Sequence, residues 1–175
     1  LKLVENSTRP GLEALIEATR TESKFNTKKK KTASFIGYTI APRINAAGRI
    51  RDASIAVELF LASDSAKAAE IAKKLCDINR ERQAEENKII ESVYAQIAAS
   101  YDLEHDRVIV LDDETWHHGI IGIVASRITE KYGLPSILIS FEGADGNKGP
   151  DDLGKGSGRS VKGLNLVDAL SECSD

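Results

Sequence analysis

Three stretches of this chain gather residue types that bind phosphate. In Ala41-Pro42-Arg43-Ile44-Asn45-Ala46-Ala47-Gly48-Arg49-Ile50, two arginines bracket small residues. A guanidinium fork takes a phosphate through two parallel hydrogen bonds, and Ala46, Ala47 and Gly48 would keep that approach open. In Trp116-His117-His118-Gly119-Ile120-Ile121-Gly122-Ile123-Val124-Ala125-Ser126-Arg127, Gly119 and Gly122 strip side chains from the start of an apolar helical pattern. The free N–H groups and positive dipole end of such a helix suit an anion. In Gly156-Ser157-Gly158-Arg159-Ser160 the backbone is bared beside two hydroxyls and a guanidinium. On a strand, Ser157 and Arg159 would share one face and offer a neutral and a charged donor to one phosphate. Each stretch also has an ordinary reading: arginines paired inside their own domain, a helix packed through glycines, a flexible loop. Three such elements together favour a polyanion over any single one.

Other chemistries fare worse. Asp112, Asp113, His117 and His118 could be joined into a metal site, but adjacent histidines on a regular element should diverge. One of them hydrogen-bonding a phosphate or carbonyl is the plainer role. Trp116, the only tryptophan, could cap the core edge or stack on a base. Gly149 to Lys155 mimics a nucleotide-binding loop, but Gly156 stands where a magnesium-binding Ser or Thr is needed. No nucleophile or second acid cluster accompanies the aspartates. No catalytic constellation emerges.

The elements that would position these stretches follow from periodicity. Leu12 to Thr19 reads as a short helix behind the turn Thr8-Arg9-Pro10-Gly11, and Lys28 to Lys31 as a solvated loop. Ser34 to Ile40 reads as a strand or extended segment, which Pro42 then interrupts. Asp52 can cap a helix from Ala53 to Leu61. Ser63 to about Tyr101 reads as one long helix, apolar at both ends and wet between Asn79 and Lys88, as an inter-domain connector would be. A coiled-coil dimer is the alternative, though the polar middle breaks the heptads. Beyond Asp102 the pattern is strand (Val108–Leu111), helix (Gly119–Tyr132, ended by Gly133) and strand (Pro135–Phe141), which favours a parallel pair. A glycine-rich loop over Gly143–Gly158, a third strand over Lys155–Val161 and a helix over Asn165–Cys173 follow.

Composition narrows the partners. A net charge of −3 supplies no global basic field, so contacts with a polyanion must come from local cations. Two cysteines, Cys76 and Cys173, exclude a disulfide framework and fit a reducing cytoplasm. No apolar run is long enough to span a membrane, and the first residues carry no secretory pattern. A start without methionine and a stop just after a helical pattern suggest a piece of a longer protein.

The three stretches, in this order, resemble the RecJ family of single-strand-specific 5′→3′ exonucleases in the DHH phosphoesterase superfamily. Arg9-Pro10-Gly11-Leu12 and Asn79-x-x-Arg82 fit the same family, so the resemblance covers nearly the whole chain. It implies an α/β architecture: an incomplete tail of the DHH catalytic domain (1–62), a long connecting helix (63–101), and a small α/β DHH-associated domain with a mixed sheet (102–175). It implies that single-stranded DNA threads between the two domains. Arg43, Asn45, Arg49, His118, Gly119, Ser157, Gly158, Arg159 and Ser160 would then bind the strand and its 5′ phosphate. A single-strand-binding protein and a helicase are the candidate protein partners, in DNA repair and recombination.

The Asp-His-His motif and the aspartates that hold Mn2+ or Mg2+ in the family are absent from this sequence, as is the family's closing glycine–histidine motif. Metal-assisted hydrolysis needs those ions to activate water. The chain alone is therefore expected to bind and not to cut, with no metal of its own. Two other readings stay open. One is an associated domain serving RNA or small phosphorylated substrates, since similar domains occur in alanyl-tRNA synthetases and oligoribonucleases. The other is a structural or partner-docking module.

Overall fold

The computed structural model describes residues 4, 7–22, 31–141 and 153–173. The chain divides into two compact units, residues 1–83 and 84–175. The division falls inside one long helix.

The described elements of the first unit are helical. Pro10 opens α1 (Pro10–Glu22), where its fixed φ and missing N–H cost nothing. Leu15 and Ile16 of α1 are buried with Ala56 and Leu59 of α4 (Ser54–Leu61). The two helices approach through Gly11, where a β-carbon would collide with the Leu59 carbonyl. Asp52 does serve the start of α4, its Oδ1 accepting the Ser54 N–H at 2.9 Å.

Residues 34–40 are helical, which overturns the extended reading. Thr32 accepts the Phe35 N–H at 3.1 Å and starts α2 (Ala33–Phe35), which runs through a π-helical turn (Ile36–Ile40) into α3 (Ala41–Ile50). Pro42 breaks nothing because it lies in the first turn of α3, and the Ala41 N–H reaches back to the Ile36 carbonyl in the widened turn before it. Ala46 and Ala47 are wholly buried, so these small residues serve packing and do not hold open an approach for a ligand.

The long helix α5 (Ser65–Ser100) has 36 residues and so runs about 54 Å. Asp64 caps it, accepting the Lys67 N–H at 2.7 Å. The wet-middle reading is wrong. Asn79, Arg82 and Glu86 are buried like Leu75 before them and Ile89 and Val93 after them, so one buried stripe runs the length of the helix. Polar groups can occupy such a stripe when they are paired. Arg82 Nη2 donates to Asn79 Oδ1 at 3.1 Å, and Glu86 meets Arg127.

In the second unit, β1 (Ile109–Asp113), α6 (His118–Tyr132) and β2 (Ser136–Ser140) form the expected strand–helix–strand series, with β1 and β2 parallel. Gly133, at φ 68°, takes the left-handed conformation that ends α6. β3 (Lys155–Arg159) pairs antiparallel with β2, Ser136 opposite Arg159, giving a mixed sheet in the order β1-β2-β3. The glycine-rich loop expected over Gly143–Gly158 gives way to this strand at Lys155, and its residues 143–152 lie outside those described. α7 (Leu166–Glu172) closes the unit, with Asn165 accepting the Val167 N–H at 3.1 Å.

Two wholly or almost wholly buried serines of β2 fasten the sheet to α6. Ser136 donates to the Ala125 carbonyl at 2.9 Å, and Ser140 donates to the Trp116 carbonyl. Buried hydroxyls are tolerated there because each finds a carbonyl. No described helix is long and apolar enough to cross a membrane.

Candidate functional site

Alternation along β3 sorts its residues by task. A β-carbon on Gly158 would sit 2.6 Å from Leu166 Cδ2, and one on Gly156 would face Ile137 and Ile139 of β2. Gly158 thus admits α7 to one face of the sheet. Ser157 and Arg159 point to the other face, over α6. There a β-carbon on Gly122 would lie 2.8 Å from Ser157 Oγ and 3.3 Å from Arg159 Nη2. Gly122 is the floor on which these two side chains rest.

Arg159 is held at this floor. Its Nε donates to Ser126 Oγ at 2.8 Å, and its Nη1 donates to the Gly158 carbonyl at 2.7 Å, with Ser157 Oγ farther off at 3.5 Å. Ser126 sends its own proton to the Gly122 carbonyl at 3.1 Å. Nη2 donates to none of the described residues, and Arg159 has no carboxylate partner among them. Other arginines are spent differently: Arg20 pairs with Glu17, Arg51 with Glu81, Arg80 with Asp77 and Arg127 with Glu86. An exposed, oriented guanidinium with spare donors beside a hydroxyl is equipped to take an anion.

The start of α6 is arranged differently from expectation. His117 has an extended backbone (φ −74°, ψ 121°) and caps the helix, its Nδ1 accepting the Gly119 N–H at 3.0 Å. One of the N–H groups assigned to an anion is thus already engaged. The rings of His117 and His118 do not diverge but stack, centroids 5.0 Å apart and planes 20° apart. Helical spacing never applied, because only His118 belongs to the helix.

Trp116 is 1% exposed, and its Nε1 donates to Ser92 Oγ at 3.3 Å, so it is a core residue and no base can stack on it. Asp113 Oδ1 accepts from the Thr115 N–H at 2.8 Å and from its hydroxyl at 2.6 Å, an ordinary turn. Among the described residues no three His, Cys, Asp or Glu side chains converge as metal ligands. Ser160 turns away from the cluster and donates to the Leu164 carbonyl at 2.8 Å.

In the first unit, helix geometry separates the arginines. Asn45, Gly48 and Arg49 fall on one exposed face of α3 and line an open depression of ≈ 560 Å³ with Ile44, Ala53 and Val57. Arg43 is half-buried, and its Nη1 donates to the Thr39 carbonyl in the π-helical turn at 2.5 Å. It does not line the depression.

Sequence reasoning did not single out Ser126. Its signal was its place four residues after Gly122, which sets a hydroxyl on the same helical face as the glycine.

The small mixed-sheet α/β unit belongs to a known class: residues 105–175 match the DHHA1 domain family. The single-stranded-DNA-specific exonuclease RecJ of Bacillus subtilis (strain 168) is 36% identical over 140 residues, which are 80% of this chain and 17% of that protein. The protein of the same name from Dickeya dadantii (strain 3937) is 34% identical over 166 residues, 93% of this chain and 26% of that protein. The crystal structure of RecJ from Thermus thermophilus in complex with Mg2+ matches with a TM-score of 0.78 and 31% identity, over 98% of this chain and 24% of that one. Its Mn2+ complex matches equally well, with a TM-score of 0.77. The chain matches the RecJ family over most of its own length. It spans a quarter or less of the length of most of these relatives, and 26% of the Dickeya protein.

Proposed function

We propose that this chain positions a single DNA strand for a RecJ-like, metal-dependent 5′→3′ exonuclease acting in DNA repair and recombination in the cytoplasm. The observation that carries this reading is Arg159: an oriented guanidinium with no carboxylate partner among the described residues, beside Ser157 on a glycine floor, in a chain with no net positive charge. Asn45 and Arg49 on the open face of α3 form a second, separate set of donors. Each set suits a phosphate of the backbone or the 5′ end. Hydrolysis would use Mg2+ or Mn2+ bound by residues that this chain does not contain, so the chain alone binds without cutting. A single-strand-binding protein or a helicase would deliver the strand.

Binding of the chain to 5′-phosphorylated and 5′-hydroxyl oligo-dT across a salt series, with Mn2+ added, tests the reading. Tighter binding to the phosphorylated strand without cleavage is expected. The logarithm of affinity should fall with the logarithm of salt at a slope of about 0.7 per phosphate contacted. Arg159→Ala and Arg49→Ala should each make that slope shallower. Equal affinity for the two strands, with slopes unchanged in both variants, would refute the proposal. A preference for RNA or dinucleotides would move the chain to a related phosphoesterase, and absence of binding would point to a docking module.

A further inference from the structure

We propose that Ser126 is the positioning residue that aims Arg159 at phosphate, across the floor that Gly122 leaves open. The inference rests on the reading of Arg159 as a phosphate ligand. An exposed arginine at the end of an edge strand would ordinarily sample many rotamers. Here an oriented chain fixes it: Arg159 Nε–H donates to Ser126 Oγ at 2.8 Å, and the Ser126 hydroxyl donates to the Gly122 carbonyl at 3.1 Å. Because its proton goes to that carbonyl, the serine oxygen presents a lone pair to Nε. A second hold, from Nη1 to the Gly158 carbonyl at 2.7 Å, comes from β3 itself.

The ligand geometry follows. With Nε and part of Nη1 engaged by the protein, the guanidinium meets a phosphate oxygen by its Nη2 edge. Nη2 lies over Gly122, and Ser157 Oγ, 3.5 Å from Nη1, borders the same floor. A methyl group at Gly122 would press on Ser157 Oγ at 2.8 Å and on Nη2 at 3.3 Å, filling the floor of the site. Ser126 never touches the ligand. It acts through Arg159 alone.

The test compares Ser126→Ala, Ser126→Thr, Arg159→Ala and the Ser126→Ala/Arg159→Ala pair in the whole chain, with thermal melts as a check on folding. One readout is the Arg159 Nε–H resonance, protected from exchange when bonded. The other is the ratio of affinities for 5′-phosphorylated and 5′-hydroxyl oligo-dT. Ser126→Ala should expose the Nε–H and cut the ratio about tenfold, the lower end of the scale for a lost hydrogen bond to a charged group. Ser126→Thr should retain both, and Ser126→Ala should add nothing once Arg159 is absent. Ser126→Cys, nearly isosteric but a poor acceptor, gives the same comparison if the alanine variant loses its fold.

A protected Nε–H in Ser126→Ala, or additive losses in the pair, would overturn the proposal. So would an undiminished ratio in Ser126→Ala when Arg159→Ala lowers it, and the phosphate reading would survive. An undiminished ratio in Arg159→Ala itself would remove the phosphate reading, and the positioning role with it.

Discussion

Glu86 and Arg127 meet at 2.7 Å, the carboxylate almost wholly buried and the guanidinium half exposed. Arg127 ends the glycine–histidine stretch and could be mistaken for another phosphate ligand. Its partner says otherwise. A carboxylate taken out of water needs a counter-charge, and Arg127 supplies one to a helix distant in sequence.

Removing Arg127 should therefore cost stability and leave binding alone. Arg127→Ala should destabilise the chain by about 1–3 kcal/mol, less than a fully buried pair because half of the guanidinium is solvated. Its salt slope on oligo-dT should equal that of the parent chain. Glu86→Gln, which removes the buried charge, should destabilise less than Arg127→Ala, as chemical denaturation would show. A binding defect in Arg127→Ala at unchanged stability would reassign the residue to the ligand.

Gly11→Ala should be among the most damaging single substitutions in the first unit. The added methyl collides with the Leu59 carbonyl, which is backbone and cannot swing aside. Helices α1 and α4 would have to separate, emptying the space around Leu15 and Leu59, both fully buried. A loss of about 3 kcal/mol or more is expected, the upper range for overpacking. Urea unfolding followed by far-ultraviolet circular dichroism would measure it. A loss under about 1 kcal/mol would show that the helices can part more easily than their packing implies.

Tyr101 guards the open edge of the sheet. Its hydroxyl donates to the Val110 carbonyl and accepts the Val110 N–H, both at 2.7 Å, on the side of β1 that faces no described strand. Unpaired edge groups invite another strand. Tyr101→Phe should cost about 1–2 kcal/mol for the groups left without partners. It should also promote concentration-dependent association, visible by sedimentation velocity. A Tyr101→Phe chain that stays monomeric and fully stable would mean that water replaces the hydroxyl without loss.

The parts of the fold written in local signals were legible. The β1–α6–β2 series, the glycine stop at Gly133, and the role of Asp52 at the start of α4 all follow from spacing within a few residues. What failed depended on partners far away or on register. Pro42 reads as a breaker until a π-helical turn is known to precede it. Glu86 reads as solvated because burial of a charged group is decided by its partner, and Arg127 lies far along the chain. At the candidate site, Ser157 and Arg159 were visible as a pair. Ser126 was not, because only the packing of β3 on α6 turns an ordinary helical serine into an acceptor for Arg159.

Acidification should loosen the chain locally at Asp52, Asp102 and Glu70. The Asp52 carboxyl is held below the ordinary aspartate range by hydrogen bonds from the Ser54 backbone and hydroxyl. Asp102 is lowered by its bond to His105 and by the Glu104 N–H, and Glu70 by Lys74. A carboxyl whose folded pKa is depressed contributes stability that is whole above its unfolded pKa. That contribution is lost as pH falls through the folded value, so all three groups act in the same direction. All three are exposed, so the effect is local fraying of the elements they start or brace. The Ser54 amide should shift and exchange faster below the ordinary aspartate range, while amides deep in α4 stay protected. Asp52→Asn keeps a side-chain acceptor at the helix start but carries no titrating proton, so the Ser54 amide should then be insensitive to pH. An identical Ser54 titration in Asp52→Asn would show that another group, not the Asp52 carboxylate, sets the acid response of α4.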